Sequence, residues 1–180
     1  MLSWNKIARR IRVPLGFLFA VVYLWCAHPT GRSIVLGGFI AGLGLLIRAF
    51  ASGHVQKNEQ LATTGPYAYT RNPLYLGSLI IACGFALASR SWIVAVIAVV
   101  MLLAIYIPVI RSEEEFLRGR FPEFEDYRRN VPRLFPKLKV NQGSAGSFSA
   151  HLYWKHREYN AAIGAVLMTV ALIVKMLWPR

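Results

Sequence analysis

Charge, and negative charge above all, is scarce in this sequence. Eight Asp+Glu stand against 21 Lys+Arg in 180 residues, and only 16% of positions are charged. Hydrophobic residues make up 56% and the mean hydropathy is +0.43. A water-soluble globule of this size has too little interior to hide so much apolar surface. The same composition excludes intrinsic disorder. The two cysteines, Cys26 and Cys83, both fall inside apolar runs. They exclude a disulfide framework and are expected to be buried thiols. Histidines are few as well. His151 and His156 lack cysteine or acidic partners at metal-ligand spacing, and His28 and His54 are isolated, so no metal site is expected. There is no Gly-rich phosphate loop, no Ser/His/Asp pattern and no soluble dinucleotide fingerprint. The net charge of +13 would suggest nucleic acid on a soluble chain. Here the basic residues flank apolar runs, so membrane topology and anionic lipid headgroups explain it better, and no nucleic-acid partner is expected.

Long apolar runs are what the sequence has in abundance. They cover 13–27, 34–51, 74–88, 92–110 and 161–178. The expected fold is therefore all-α, a multi-pass transmembrane bundle of about five spans forming one domain over 1–180. Its parts are two N-terminal spans (1–60), a motif-bearing hairpin with a cytosolic helical cap (61–140), and a linker with a C-terminal span (141–180). Gly38 and Gly42 in the second run have the spacing that permits close helix packing. Only Ser89, Arg90 and Ser91 separate the third and fourth runs, which forces a tight antiparallel hairpin. After the fourth run a helix continues to Arg120, breaks at Phe121-Pro122 and resumes until Pro132 and Pro136 end it. Segment 141–150, NQGSAGSFSA, reads as a flexible linker, and 151–159, HLYWKHREY, as a basic, aromatic lead-in to the last span. Basic residues concentrate before the first run, between the second and third, and between the fourth and fifth, whereas the two other connections hold only Arg32 and Arg90. The positive-inside rule then places the N-terminus and the hairpin's open end in the cytosol.

Two blocks carry candidate chemistry. In the first, 65–77, Gly65-Pro66 makes a turn, Asn72 suits an N-cap and Pro73 the first helical position. The helix N-terminus and Arg71 would favour an anionic group, Tyr75 lies one turn in, and Gly77 leaves room for close approach. An ordinary capped helix with interfacial tyrosines explains the same residues. In the second, Glu113, Glu114 and Glu115 sit where a helix dipole disfavours acids. A solvated face with a Glu114–Arg118 pair accounts for only one of them. Because the hairpin is antiparallel, the two blocks must meet at one membrane face. Cations, acids, aromatic rings and a helix N-terminus gathered there suit a zwitterionic ligand that also carries a soft cation.

The blocks GPYAYTRNPLYLG (65–77) and EEEFLRGRFPEFEDYRRNVPRLFP (113–136), separated by a hydrophobic hairpin, resemble the isoprenylcysteine carboxyl methyltransferase family and its phospholipid methyltransferase relatives. The resemblance covers roughly 60–136. Arg71, Pro73 and Tyr75 match the family's first block, Glu113 and Glu114 its acidic pair, and Tyr127, Val131, Pro132 and Arg133 its closing block. Asn72 stands where the carboxyl methyltransferases have histidine, as in the phospholipid N-methyltransferases, and Phe124 stands near a usual tyrosine. The resemblance implies an integral membrane enzyme using S-adenosyl-L-methionine on a lipophilic acceptor from the bilayer. The leading acceptor is a carboxylate on an isoprenylcysteine-like thioether. The alternatives are a phospholipid amine or a small molecule, then a nicotinamide-dependent, sterol-reductase-like chemistry, then a non-enzymatic membrane scaffold. It further implies catalytic roles for Arg133, Asn72 and Glu114. Cofactor contacts would come from Arg71, Asn72, Tyr75, Gly77, Glu113 and Glu114, and acceptor contacts from Arg133 and Tyr127.

Overall fold

The computed structural model describes residues 16, 18–55, 60–137 and 147–178. Among them the chain is helical and contains no strand. Helix α1 covers 18–26, α2 Gly31–Ser52, α3 Pro73–Ser89 and α4 Trp92–Arg120, followed by the shorter α5 Phe124–Asn130 and α6 Ala150–Lys155, and by α7 Tyr159–Leu177. Three of these, α2, α4 and α7, are long and apolar enough to cross a membrane. Helix α3 is apolar but has 17 residues, about 26 Å at 1.5 Å per residue, slightly short of a bilayer core of about 30 Å. Part of the first expected span and most of the 141–150 linker lie outside the described residues.

The hairpin forms as the sequence dictates. Arg90 ends α3 in the left-handed region with φ 52°, and the Ser91 hydroxyl accepts from the Val94 amide to start α4. Helix α4 then runs through Pro108 to Arg120 and stops at Phe121, and α5 follows. Beside the C-terminal end of α3, Thr30 and Ser33 form a reciprocal capping box on α2, and the Ser33 hydroxyl also donates to the Ala88 carbonyl at 3.0 Å.

The α2–α3 contact corrects one expectation. Gly38 and Gly42 face open space. The close approach is made instead by Gly37 and Gly44 against Gly84 and Gly77: a Cβ at Gly44 would lie 2.6 Å from the Gly77 carbonyl oxygen, and one at Gly84 2.5 Å from the Gly37 carbonyl oxygen. Only glycine lets the two backbones touch there. A second correction concerns the thiols. Cys26 is half-buried, but Cys83 lies exposed on α3.

Away from the hairpin's open end, Tyr23 of α1 and Ala27 just after it pack with Ile34, Ala88, Val94 and Leu172 into a buried cluster joining α1, α2, α3, α4 and α7. The Lys175 ammonium donates to the Leu24 and Trp25 carbonyls, satisfying the last turn of α1 from a neighbouring helix.

Candidate active site

The site is built where the chain enters α3. Gly65 adopts φ +56° with the His54 ring against its Cα, which turns the chain into a short 3-10 helix, Gly65–Ala68. The next residues pair with the segment after α5. The Arg71 amide donates to the Pro132 carbonyl at 2.9 Å, and the Lys137 amide to the Tyr69 carbonyl at 3.0 Å. The Thr70 hydroxyl donates to the Leu134 carbonyl at 2.9 Å, and the Asn72 side-chain amide to the Arg133 carbonyl at 2.9 Å. The Tyr127 hydroxyl adds a bond to the Tyr67 carbonyl at 2.7 Å. These bonds fasten the 121–137 cap over the start of α3.

A single buried carboxylate organises the charges. Glu114, 8% exposed, accepts from Arg133 Nε at 3.1 Å and Nη2 at 2.7 Å, a bidentate pair. On its other side Arg71 Nη1 stands 3.2 Å from Glu114 Oε1, out of hydrogen-bond alignment. Arg71 Nε and Nη1 are buried without a hydrogen-bond partner among the described residues. Burial lowers the Arg71 guanidinium below its usual pKa, and Glu114 offsets part of that. Burial raises the Tyr127 phenol above its usual value, opposed by the Arg71 charge, and raises Tyr67 likewise, helped by Glu113. One turn into α3, the Tyr75 hydroxyl donates to Glu113 Oε2 at 3.0 Å, and its ring meets Tyr106 edge-on at 5.2 Å. These groups surround a cavity of about 340 Å³, within the range of small-molecule sites.

Most of the expected residues converge. Arg71, Asn72, Tyr75, Glu113, Glu114 and Tyr127 all line the cavity, as does Phe124. Gly77 does not: it packs against Gly44 and the Arg48 side chain. Arg133 stands behind Glu114 rather than in the lining, with its fork taken up by that carboxylate. Asn72 occupies the N-cap position of α3 but makes no side-chain cap bond, because its amide is committed to Arg133. Arg118 pairs with Glu125, not Glu114.

Sequence reasoning missed a second ion pair in the wall. Arg48 of α2 is gripped by both carboxylate oxygens of Glu158, and it also donates to the Leu74 carbonyl and the Ser78 hydroxyl. The available signal was an arginine at the end of an apolar run, which must find a partner. Tyr67 and Tyr106, also in the lining, carried no local signal. Among the described residues no group of three or more His, Cys, Asp or Glu is placed to hold a metal ion.

The described residues thus form a helical bundle with helices apolar and long enough to cross a membrane, and with a polar cavity at one end of an antiparallel hairpin, walled by paired arginines, acids and tyrosines. Comparison gives the family. The phospholipid methyltransferase pattern matches residues 13–123, more than half of the chain, and the chain belongs to that family. Three curated proteins are similar to it. The cobalt-zinc-cadmium resistance protein CzcN of Cupriavidus metallidurans is 37% identical over 62% of this chain and 51% of its own length. The nickel-cobalt-cadmium resistance protein NccN of Alcaligenes xylosoxydans xylosoxydans is 36% identical over 66% and 58%. The protein-S-isoprenylcysteine O-methyltransferase of Schizosaccharomyces pombe is 25% identical over 76% and 60%. The chain thus spans between half and three fifths of the length of these relatives. No solved structure matches it.

Proposed function

We propose that the chain is an S-adenosyl-L-methionine-dependent methyltransferase that acts at the membrane surface on a lipophilic acceptor drawn from the bilayer. The observation that carries this reading is Arg71: a buried guanidinium beside a cavity, whose Nε and Nη1 make no hydrogen bond among the described residues, although Nη1 is ion-paired with Glu114. A buried donor without a hydrogen bond is costly, so a ligand carboxylate there would stabilise the site. The remaining lining suits the rest of such a ligand. Tyr75 and Tyr106 offer ring faces and edges to a soft cation, and Glu113 an acceptor for an ammonium. The cofactor supplies an activated methyl group on a sulfonium. The protein's part is to align an acceptor behind that methyl and to keep water out, a task the cap over 121–137 suits. By the positive-inside rule this face is cytosolic, the N-terminus lies on the same side, and the basic flanks meet anionic lipid headgroups.

A carboxylate acceptor on a hydrophobic thioether fits best. It needs no general base, and every acid in the lining is already engaged: Glu114 by Arg133 and Arg71, Glu158 by Arg48, and Glu113 by Tyr75. One observation favours a phospholipid amine instead. The Arg133 fork, which would clamp an acceptor carboxylate, is occupied by Glu114. The test is to incubate the purified full chain with membrane lipids and methyl-labelled cofactor, then treat the lipid fraction with alkali. Label released by alkali as volatile methanol is expected for a methyl ester. Label that stays non-volatile would transfer the assignment to an amine, and absence of label would end the methyltransferase reading.

A further inference from the structure

A second cavity, of about 410 Å³ and mostly apolar, extends from the first between α4 and α7. Arg48, Ser78 and Tyr106 line both, so the two meet at a polar neck. There Glu158, at the N-cap position of α7 but without a side-chain cap bond, neutralises the Arg48 guanidinium. Small side chains create the space: Ala82 and Ala86 on α3, Ala98 on α4, and Ala161, Gly164 and Ala165 on α7. Helix α4 packs on α3 and α7 on α2, which leaves the chamber between them. At the far end stand Tyr23 and Phe85, fastened by a bond from the Tyr23 hydroxyl to the Phe85 carbonyl at 2.8 Å. From Tyr106 to Val94 along α4 the chamber is about 18 Å long at the usual helical rise.

We infer that α7 is a specificity-determining wall of the acceptor site, and that this chamber receives the acceptor's hydrocarbon chain. The inference rests on reading the polar cavity as the place of methyl transfer. Three observations point to a chain rather than to another occupant. The chamber is elongated and apolar, it joins the polar cavity end to end, and its neck carries no net charge to retain a charged headgroup. A headgroup therefore stays in the polar cavity while the chain extends toward Tyr23 and Phe85. Helix α7 lies beyond the residues matched by the family pattern, so its small residues give this chain its own measure of chain length and bulk. A Cβ built at Gly164 meets nothing within 4 Å, so this wall accepts bulk without a backbone clash.

The experiment uses the full chain in lipid nanodiscs and a single-chain probe, hexadecanol with a diazirine at its chain end. After photolysis, adducts are expected on Tyr23, Phe85 or Met168. Gly164→Phe on α7 and Ala98→Phe on α4, introduced separately, should each lower those adducts at least tenfold while adducts on lipid-facing Phe39 stay unchanged. Binding of S-adenosyl-L-methionine, measured on the same samples, should stay within twofold of wild type. Wild-type adducts confined to lipid-facing positions such as Phe39, or chamber adducts untouched in both variants, would overturn the inference. Absence of cofactor binding in the wild type would remove the methyltransferase reading, and the adduct map would still decide whether a chain occupies the chamber.

Discussion

Glu114 is the residue on which the site's electrostatics turn. It lies between two guanidiniums, and Arg71 beside it has 9% of its side chain exposed. Truncating a buried partner leaves the opposite charge uncompensated, which costs about 3–5 kcal/mol. Glu114→Ala is therefore expected to lower stability in detergent by about that much, whereas Glu125→Ala, whose pairs are surface-exposed, should cost less than about 1 kcal/mol. Denaturant titration of both variants checks the contrast. Tyr127 gives a pH signature. Burial holds its phenol protonated at a pH where an unfolded tyrosine, near pKa 10, would ionise. Its contribution to stability is complete below about pH 10 and declines as pH rises further, since the unfolded state then loses the proton more easily. Tyr127→Phe should flatten the fall in melting temperature above about pH 10, although it also loses the bond to the Tyr67 carbonyl and so lowers the value at neutral pH. At this scale the sequence was legible where a residue's job is local. Arg71, Tyr75 and Glu113 stand where helix position and charge put them. The bonds of Asn72 and Arg133, one to the Arg133 carbonyl and the other to the Glu114 carboxylate, were not legible, because they depend on how the cap docks and no local pattern reports that.

At the scale of elements, the three residues between the third and fourth apolar runs already fixed the hairpin and hence the meeting of the two blocks. The α2–α3 register was not readable. Both glycine pairs in α2 have helical spacing, and only contact with Gly77 and Gly84 decides which faces inward. The consequence is testable. Gly44→Ala should lower stability by about 1–3 kcal/mol, because a Cβ there meets the Gly77 carbonyl and Ile81. Gly38→Ala should be neutral or stabilising by up to about 1 kcal/mol, as expected for a helical glycine facing open space. Equal losses at both positions, by thermal melting in one detergent, would show that the helices pack otherwise. The Arg48–Glu158 pair was out of reach of sequence reading for a related cause. The partners are 110 residues apart, and nothing local singles out Glu158 among the eight acids.

For the whole molecule, the long apolar runs pointed to an all-α membrane protein, and the asymmetry of Lys and Arg predicts a direction of insertion. That direction has its own test. Cysteines placed at Gly31 and Ser91, both at the ends of the described helices away from the polar cavity, should react in intact cells with an impermeant maleimide once Cys26 and Cys83 are replaced by serine. A cysteine at Ser147 should react only after permeabilisation. The reverse pattern would put the polar cavity on the outer face. Above topology stands the claim that this cavity holds S-adenosyl-L-methionine. Calorimetric titration of the full chain in detergent tests it most directly. Saturable binding is expected, weakened at least tenfold by Tyr75→Ala and by Arg71→Met, and unchanged by Arg129→Ala on the exposed cap. No saturable binding, or folded Tyr75→Ala and Arg71→Met variants that bind as tightly as the wild type, would contradict it.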